Sequence, residues 1–361
     1  MRPKTIFLFF MLVPLSMLSQ NRIKDTVYGN VRSVREKLIF LDSVRQNYKL
    51  FANEDEYGHH GFMSREFTIK RFNTFWYTLP IVHYMNYYRE YNDKQRITSE
   101  TWFYKDNSFL TKYEFAYDDE GNLITERKSD EFGEIITKQW GYDHKNRVAT
   151  LLKSYKTGGF TFLGYQYNSS GQLIATNAYR ENEKAIDRKF EYESGKLVRV
   201  YHTLPYKLIP GDDPKYKTKI HGEWDTYLYE EYQYDEYGNK TAVTNYSSVI
   251  EGTNDLPSVV HYIYDENHNM IANSGSPRIF SFDEKNRIVM EKLVERTGKE
   301  MIQSKYLYKN ENLIKLLYTE DGKTTTVTFS YKFDDHNNWT EQIKSINGKP
   351  LYVRRRKIVY Y

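Results

Sequence analysis

A seven-residue phrase recurs ten times between residues 91 and 339, and it constrains the fold more than any other feature of the sequence. The phrase usually runs aromatic, Asp or Asn, two polar residues, Gly or Asn, a polar residue and an aliphatic residue; eight copies have this full length, and the copies at Tyr192 and Tyr308 are one residue shorter. Successive copies begin 26, 25, 25, 25, 42, 30, 18, 26 and 25 residues apart, and such regular spacing indicates a repeat architecture. The copies begin at Tyr91, Tyr117, Tyr142, Tyr167, Tyr192, Tyr234, Tyr264, Phe282, Tyr308 and Phe333.

Each copy has the pattern of a β-hairpin. In nine copies a second aromatic residue lies two positions before the first, which places both rings on one face of a strand. The following Asp can accept hydrogen bonds from the backbone of a turn, and Gly or Asn at the fifth position tolerates a positive φ. Gln95 and His268 are the exceptions at that fifth position. The earlier aromatic residues are Phe115, Trp140, Tyr165, Phe190, Tyr232, Tyr262, Phe280, Tyr306 and Tyr331.

These hairpins predict an all-β fold built from antiparallel hairpins of about 25 residues. A single hairpin is marginally stable, so consecutive hairpins are expected to join edge to edge in an extended or curled sheet. The 35 tyrosines of the chain fit this role, because the ring can pack in a core layer while the hydroxyl finds a partner. No tyrosine chemistry is needed to explain them.

The Tyr-Asp-x-x-Gly-[Asn/Arg]-Leu phrase resembles the YD repeat of the RHS (rearrangement hotspot) superfamily, over residues 89–345. The resemblance implies a long curled sheet of repeats, and such repeats are commonly described as carbohydrate-binding. Large members form a shell around a toxin, but this chain is far shorter. It also lacks the Asp-Pro-x-Gly signature of toxin release, since its single Asp-Pro, at 213–214, precedes Lys215 and Tyr216.

The first residues have the pattern of a secretory signal peptide. Arg2 and Lys4 precede an apolar run over residues 6–18, which is shorter than the roughly 20 residues that span a bilayer. We therefore expect cleavage after residue 19 and an extracytoplasmic location: periplasm, cell surface or medium. An N-terminal membrane anchor is the alternative. No membrane span is expected after signal removal.

Composition and motifs exclude several functions. The chain has no cysteine, which excludes disulfides and thiolate chemistry, and 52 basic against 48 acidic residues are too balanced for a nucleic-acid binder. Zinc-protease, phosphate-loop and nucleophile-elbow motifs are absent, so we expect no enzyme and no cofactor. A glycosidase needs only two carboxylates brought together by folding, which keeps that alternative open.

An outer-membrane barrel is disfavoured because charged residues occupy both faces of the strand at 126–128.

Two segments outside the regular repeats are candidate ligand sites. Residues 20–90 are predicted to be a β-rich aromatic cap over the first sheet edge, with Trp76 and Tyr77 as candidate sugar-stacking residues. A loop insertion at about 203–224 brings the candidates Asp212, Asp213 and Trp224. The basic run at 354–357 is interpreted as a protected edge strand.

The sequence therefore predicts an exported, non-enzymatic repeat protein, with repeats over 91–361, that acts as a binding module of the cell envelope or the secreted fraction. Glycan is the leading ligand class. A scaffold for another envelope or secreted protein, or for a toxin, is the alternative, and a polysaccharide-cleaving enzyme is the third interpretation.

Overall fold

The computed structural model describes residues 27–41, 86–103, 107–181, 183–210, 217–251, 256–295 and 297–361. Within these residues the regular elements are 22 β-strands and one short helix, so the chain is all-β as expected. The predicted signal peptide, Trp76, Tyr77, Asp212 and Asp213 lie outside the described residues.

The strands follow the chain in order. Strands β1 to β8 are Val31–Phe40, Asn86–Tyr91, Ile97–Phe103, Phe109–Tyr117, Leu123–Asp130, Gly133–Tyr142, Val148–Tyr155 and Phe160–Tyr167. Strands β9 to β15 are Leu173–Arg180, Glu183–Glu193, Lys196–Pro210, Lys217–Tyr234, Lys240–Asn245, Ser258–Tyr264 and Met270–Asn273. Strands β16 to β22 are Arg278–Phe282, Ile288–Val294, Glu300–Lys309, Asn312–Glu320, Lys323–Phe333, Trp339–Ile346 and Lys349–Tyr360. The helix α1 is Ser247–Glu251.

The sheet closes on itself, which corrects the expectation of an extended or curled sheet. Each strand pairs antiparallel with the next, and β1 pairs with β2 on one side and with β22 on the other. Every strand of the ring therefore has a paired neighbour on both sides. The interpretation of 354–357 as an edge strand is also wrong, because β22 lies between β21 and β1.

The predicted turn chemistry is confirmed. Asp118 Oδ1 accepts from the backbone N–H groups of Gly121 and Asn122, both at 2.7 Å. The fifth position of each full-length copy has a positive φ, including the two exceptions, Gln95 at 58° and His268 at 62°. Gln95 has a second role that explains its presence, since its Oε1 accepts from the N–H of Val31 on β1 at 2.8 Å.

The repeat tyrosines tie each hairpin to the one before it. Tyr142 donates its hydroxyl proton to the carbonyl of Leu123, and Tyr167 donates to the carbonyl of Val148, both at 2.9 Å. The structural interpretation of the tyrosines is therefore confirmed. The same bond joins Tyr117, Tyr192, Tyr234, Tyr264 and Tyr308 to the carbonyls of Ile97, Leu173, Leu197, Lys240 and Ile288.

The predicted insertion at 203–224 lengthens one hairpin. Its described residues, 203–210 and 217–224, form the paired ends of β11 and β12. Strand β10 pairs with β11 only as far as Thr203, and β13 pairs with β12 only from Glu230 onward. The β11–β12 hairpin therefore projects beyond its neighbours.

Packing divides the ring into two parts, which we call the packed side (β1–β3 and β19–β22) and the open side (β4–β18). A cluster of buried residues including Leu38, Trp102 and Leu316 fills the packed side. On the open side, β4 to β10 contribute one hydrophobic residue, Leu151, to the described buried core. Most side chains of the open side keep contact with solvent, so its sheet is a wall rather than a layer of a compact core.

Candidate functional site

Cross-strand pairing shows which side chains share the inner face of the ring. Residues directly opposite each other in an antiparallel pair point to the same face. Phe329, Lys344 and Tyr352 are opposite one another on β20, β21 and β22, and all three are buried. We call this buried side the inward face. On the open side the same face carries the aromatic pairs of the repeats.

A buried ion cluster lies on the inward face where the ring closes. Glu36 on β1 binds Arg354 and Arg356 on β22, with Oε1 to Arg354 Nη2 at 2.6 Å and Oε2 to Arg356 Nε at 2.9 Å. The Tyr87 hydroxyl donates to Glu36 Oε2 at 2.7 Å, and Arg354 Nη1 donates to Gln342 Oε1 at 2.8 Å. We call these five residues the closure seam.

The Glu36 carboxylate of the closure seam is ionised at neutral pH. Burial alone would raise the pKa of Glu36, but the guanidinium groups of Arg356 and Arg354 and the Tyr87 hydroxyl lower that pKa to about 2. The carboxylate is therefore ionised at neutral pH and is a poor proton donor. Both guanidinium groups also lie over the Trp339 ring, with Arg356 Cζ 3.7 Å from its centroid. The arrangement clamps the first strand to the last and suits a structural role.

Two rows of aromatic rings line the inward face of the open side. The row nearest the repeat turns uses its hydroxyls for backbone hydrogen bonds, and some of its rings are covered by cations: Arg147 Cζ lies 4.4 Å from the Tyr167 ring centroid. The second row, two residues earlier, includes Phe115, Trp140 and Tyr165, which are half-buried. This second row offers ring surface to a ligand.

Basic side chains lie beside the second aromatic row. Lys138 and Lys153 are directly opposite each other on β6 and β7, and Lys128 and Arg188 are on the inward face of β5 and β10. We call these four residues the basic patch. Lys138 binds Glu126 Oε1 at 2.6 Å and keeps 32% of its side chain exposed. The combination of ring surface and half-buried cations that keep contact with solvent suits ligand binding.

His202 adjoins the basic patch without adding to its charge. It lies opposite Arg188 and stacks on Tyr229, with ring centroids 3.7 Å apart. Burial and the positive charge of Arg188 lower the pKa of His202 to about 4. The imidazole is therefore neutral at neutral pH, and the charge of this region comes from its lysines and arginine.

The inward carboxylates are held by partners. Glu100 binds Arg89, Glu126 binds Lys138, and Glu291 binds Arg278. Within the described residues, no group of three or more His, Asp or Glu side chains is placed to hold a metal ion. The arrangement therefore favours recognition over proton transfer.

Of the five site residues predicted from the sequence, only Trp224 is described. It lies on β12 in the projecting hairpin and is 40% exposed. The basic patch was not predicted. A usable signal existed for Lys138 and Arg188, because each lies two residues before an aromatic pair and so continues its face. Lys128 and Lys153 could be assigned only from the pairing of the strands.

No helix in the described part of the chain is long and apolar enough to cross a membrane.

The sequence matches no protein-family model, and no curated protein matches it. Among solved structures, a chain of TcdB2-TccC3-Cdc42 is 11% identical with a TM-score of 0.43, and the match covers 74% of this chain and 14% of that chain. A porin-like protein from Bacteroides uniformis ATCC 8492 is 10% identical with a TM-score of 0.26, covering 92% of this chain and 98% of that one. A porin-like protein from Bacteroides vulgatus ATCC 8482 is 10% identical with a TM-score of 0.20, covering 73% and 97%.

Proposed function

We propose that the chain is an exported, non-enzymatic binding protein of the bacterial envelope or the secreted fraction, and that it binds glycans on the inward face of its open side. The observation that supports this most is the second aromatic row, whose half-buried rings lie among half-buried polar and charged side chains. Binding sites commonly combine apolar ring surface with a few polar groups that fix orientation.

Two further observations support the proposal. The first 19 residues have the pattern of an export signal, which would bring the protein to a compartment where glycans are exposed. The carboxylates of the inward face have cationic or tyrosine partners, as in Glu126 with Lys138 and Glu230 with Tyr232. Carboxylates held in this way are poorly suited to the acid and base roles of a glycosidase.

A glycan array with two matched variants tests the proposal. Trp140 lies on the inward face, and Phe162, two strands away, lies on the outward face opposite Leu152 and Tyr179. We expect Trp140→Ala to abolish saturable glycan binding and Phe162→Ala to leave it unchanged. Absence of binding by the unmodified chain to every glycan would overturn the proposal and favour the alternative of a protein-binding scaffold.

A further inference from the structure

Some cations of the inward face have acidic partners and others do not. On the packed side, Glu36 forms ion pairs with two arginines, and Glu100 forms an ion pair with Arg89. On β16 and β17, Arg278 binds Glu291. In contrast, Lys128, Lys153 and Arg188 have no ion-pair partner among the residues that the structure describes. Within the basic patch only Lys138 binds an acid, Glu126.

Several cations on the outward face of the same sheet have acidic partners. There, Lys189 binds Glu191 at 2.9 Å and Arg199 binds Glu231 at 3.2 Å. Arg355 and Lys332 share Glu341. These outward cations have acidic partners, whereas Lys128, Lys153 and Arg188 have none among the described residues.

The arrangement within the basic patch is itself unfavourable. Lys138 and Lys153 are directly opposite each other, and like charges in that position destabilise a sheet. An anion between the strands would relieve the repulsion and add charge-assisted hydrogen bonds. Strands β5 to β10 cover five strand spacings, or about 24 Å, which is enough length for several sugar units.

We infer that the basic patch binds an acidic oligosaccharide, with Trp140 and Tyr165 stacking on sugar rings while Lys128, Lys153 and Arg188 pair with carboxylate or sulfate groups. This inference rests on the proposed function and assigns its ligand class. Because Trp140 shares the inward face with Lys138, two residues earlier on β6, ring stacking and ion pairing can act on one ligand.

Neighbouring residues that point to opposite faces of the sheet provide a matched test of this inference. Lys128→Gln with Arg188→Gln removes two inward charges, and Arg127→Gln with Lys189→Gln removes two outward charges from the neighbouring positions of the same strands. Both double variants change the net charge equally. Calorimetric titration of the purified chain would use heparin and polygalacturonate as acidic probes and dextran as a neutral probe, with thermal unfolding to confirm that each variant folds.

We expect the inward double variant to weaken binding of an acidic probe by at least about tenfold, since each lost charged hydrogen bond costs more than 1 kcal/mol. The outward variant should change it less than about twofold, because Arg127 and Lys189 lie on the opposite face of the sheet from the bound ligand. Equal weakening by both variants would overturn the inference, as bulk charge would then be the cause. Equal affinity for dextran would overturn the inference and leave the proposed function standing. Absence of binding to any saccharide would overturn both.

Discussion

The packed side and the open side of the ring are both built from antiparallel strands, but they differ in how deeply their charged side chains are buried. On the packed side Glu36 is fully buried with two arginines, and Leu38, Tyr87 and Leu316 of the same side are at 1% exposure or less. On the open side the inward cations remain in contact with solvent. The difference indicates that the packed side supplies most of the stability, while the open side keeps surface that is available to a ligand.

The strongest test of this contrast is the substitution Glu36→Gln. It leaves two buried guanidinium groups without their carboxylate, which should lower the free energy of unfolding by about 3–5 kcal/mol. Urea unfolding would measure the loss. The outward variant Glu341→Gln is the matched control, because its partners Lys332 and Arg355 are 73% and 59% exposed, and it should cost about 1 kcal/mol or less. An equal loss of unfolding free energy in both variants would contradict the difference between the buried ion pairs of Glu36 and the ion pairs of Glu341.

A pair of leucine truncations compares the packing of the two sides. Leu316 on β19 is fully buried, and Leu163 on β8 is half-buried on the inward face. Leu316→Ala should cost about 2–5 kcal/mol because it leaves a cavity. Leu163→Ala should cost about 1 kcal/mol, since a half-buried side chain has less apolar surface to lose. Thermal unfolding of both variants measures the difference, and similar shifts in Tm would contradict the division into two sides.

The closure seam should also make stability depend on pH. The pKa of Glu36 is about 2 in the folded chain, below its ordinary value of 4.5. Its contribution is therefore complete above about pH 4.5 and is lost as pH falls toward 2, with a total of about 3 kcal/mol. Unfolding curves of the unmodified chain and of Glu36→Gln should converge over that interval. A constant difference between them from pH 7 to pH 3 would contradict the assigned pKa.

Removal of single hydroxyls gives the smallest effect. Tyr167 donates to one carbonyl, whereas Tyr331 donates to Leu313 at 2.8 Å and accepts from Gln342 at 2.9 Å. Each lost hydrogen bond should cost about 0.5–1.5 kcal/mol, so Tyr331→Phe should destabilise the chain more than Tyr167→Phe. Urea unfolding measures both, and the reverse order would show that the hydroxyls of the open side carry more of the stability.

The hairpins, their turns and the role of the tyrosines could be predicted from the sequence because they depend on residues close together in the chain. Asp118 and Gly121, three residues apart, form a turn with local hydrogen bonds, and each aromatic pair is separated by two positions. Even the atypical Gln95 adopts the positive φ of its position, because the surrounding turn fixes the backbone.

Closure could not be predicted in this way. Glu36 and Arg356 are 320 residues apart, and no local sequence pattern predicts that they form an ion pair. Strand β1 lacks the repeat phrase and still completes the ring, because two open sheet edges offer unpaired backbone groups that a further strand can satisfy. The basic patch was missed for a related reason, since the neighbours of Lys153 are defined by the register of β6 with β7.

The most direct test of the account is a disulfide between β1 and β22. Lys37 and Arg355 are directly opposite each other on those strands, a position in which Cα atoms lie about 4.5–5.5 Å apart, within the range that a disulfide spans. The chain has no cysteine of its own, so Lys37→Cys with Arg355→Cys introduces a single pair, and Lys37→Cys with Arg127→Cys is the control. Closure of the ring leads us to expect rapid intramolecular oxidation of the first pair and free thiols in the control, as measured by peptide mass mapping. Free thiols in both variants, or crosslinks only between molecules, would contradict closure by β1.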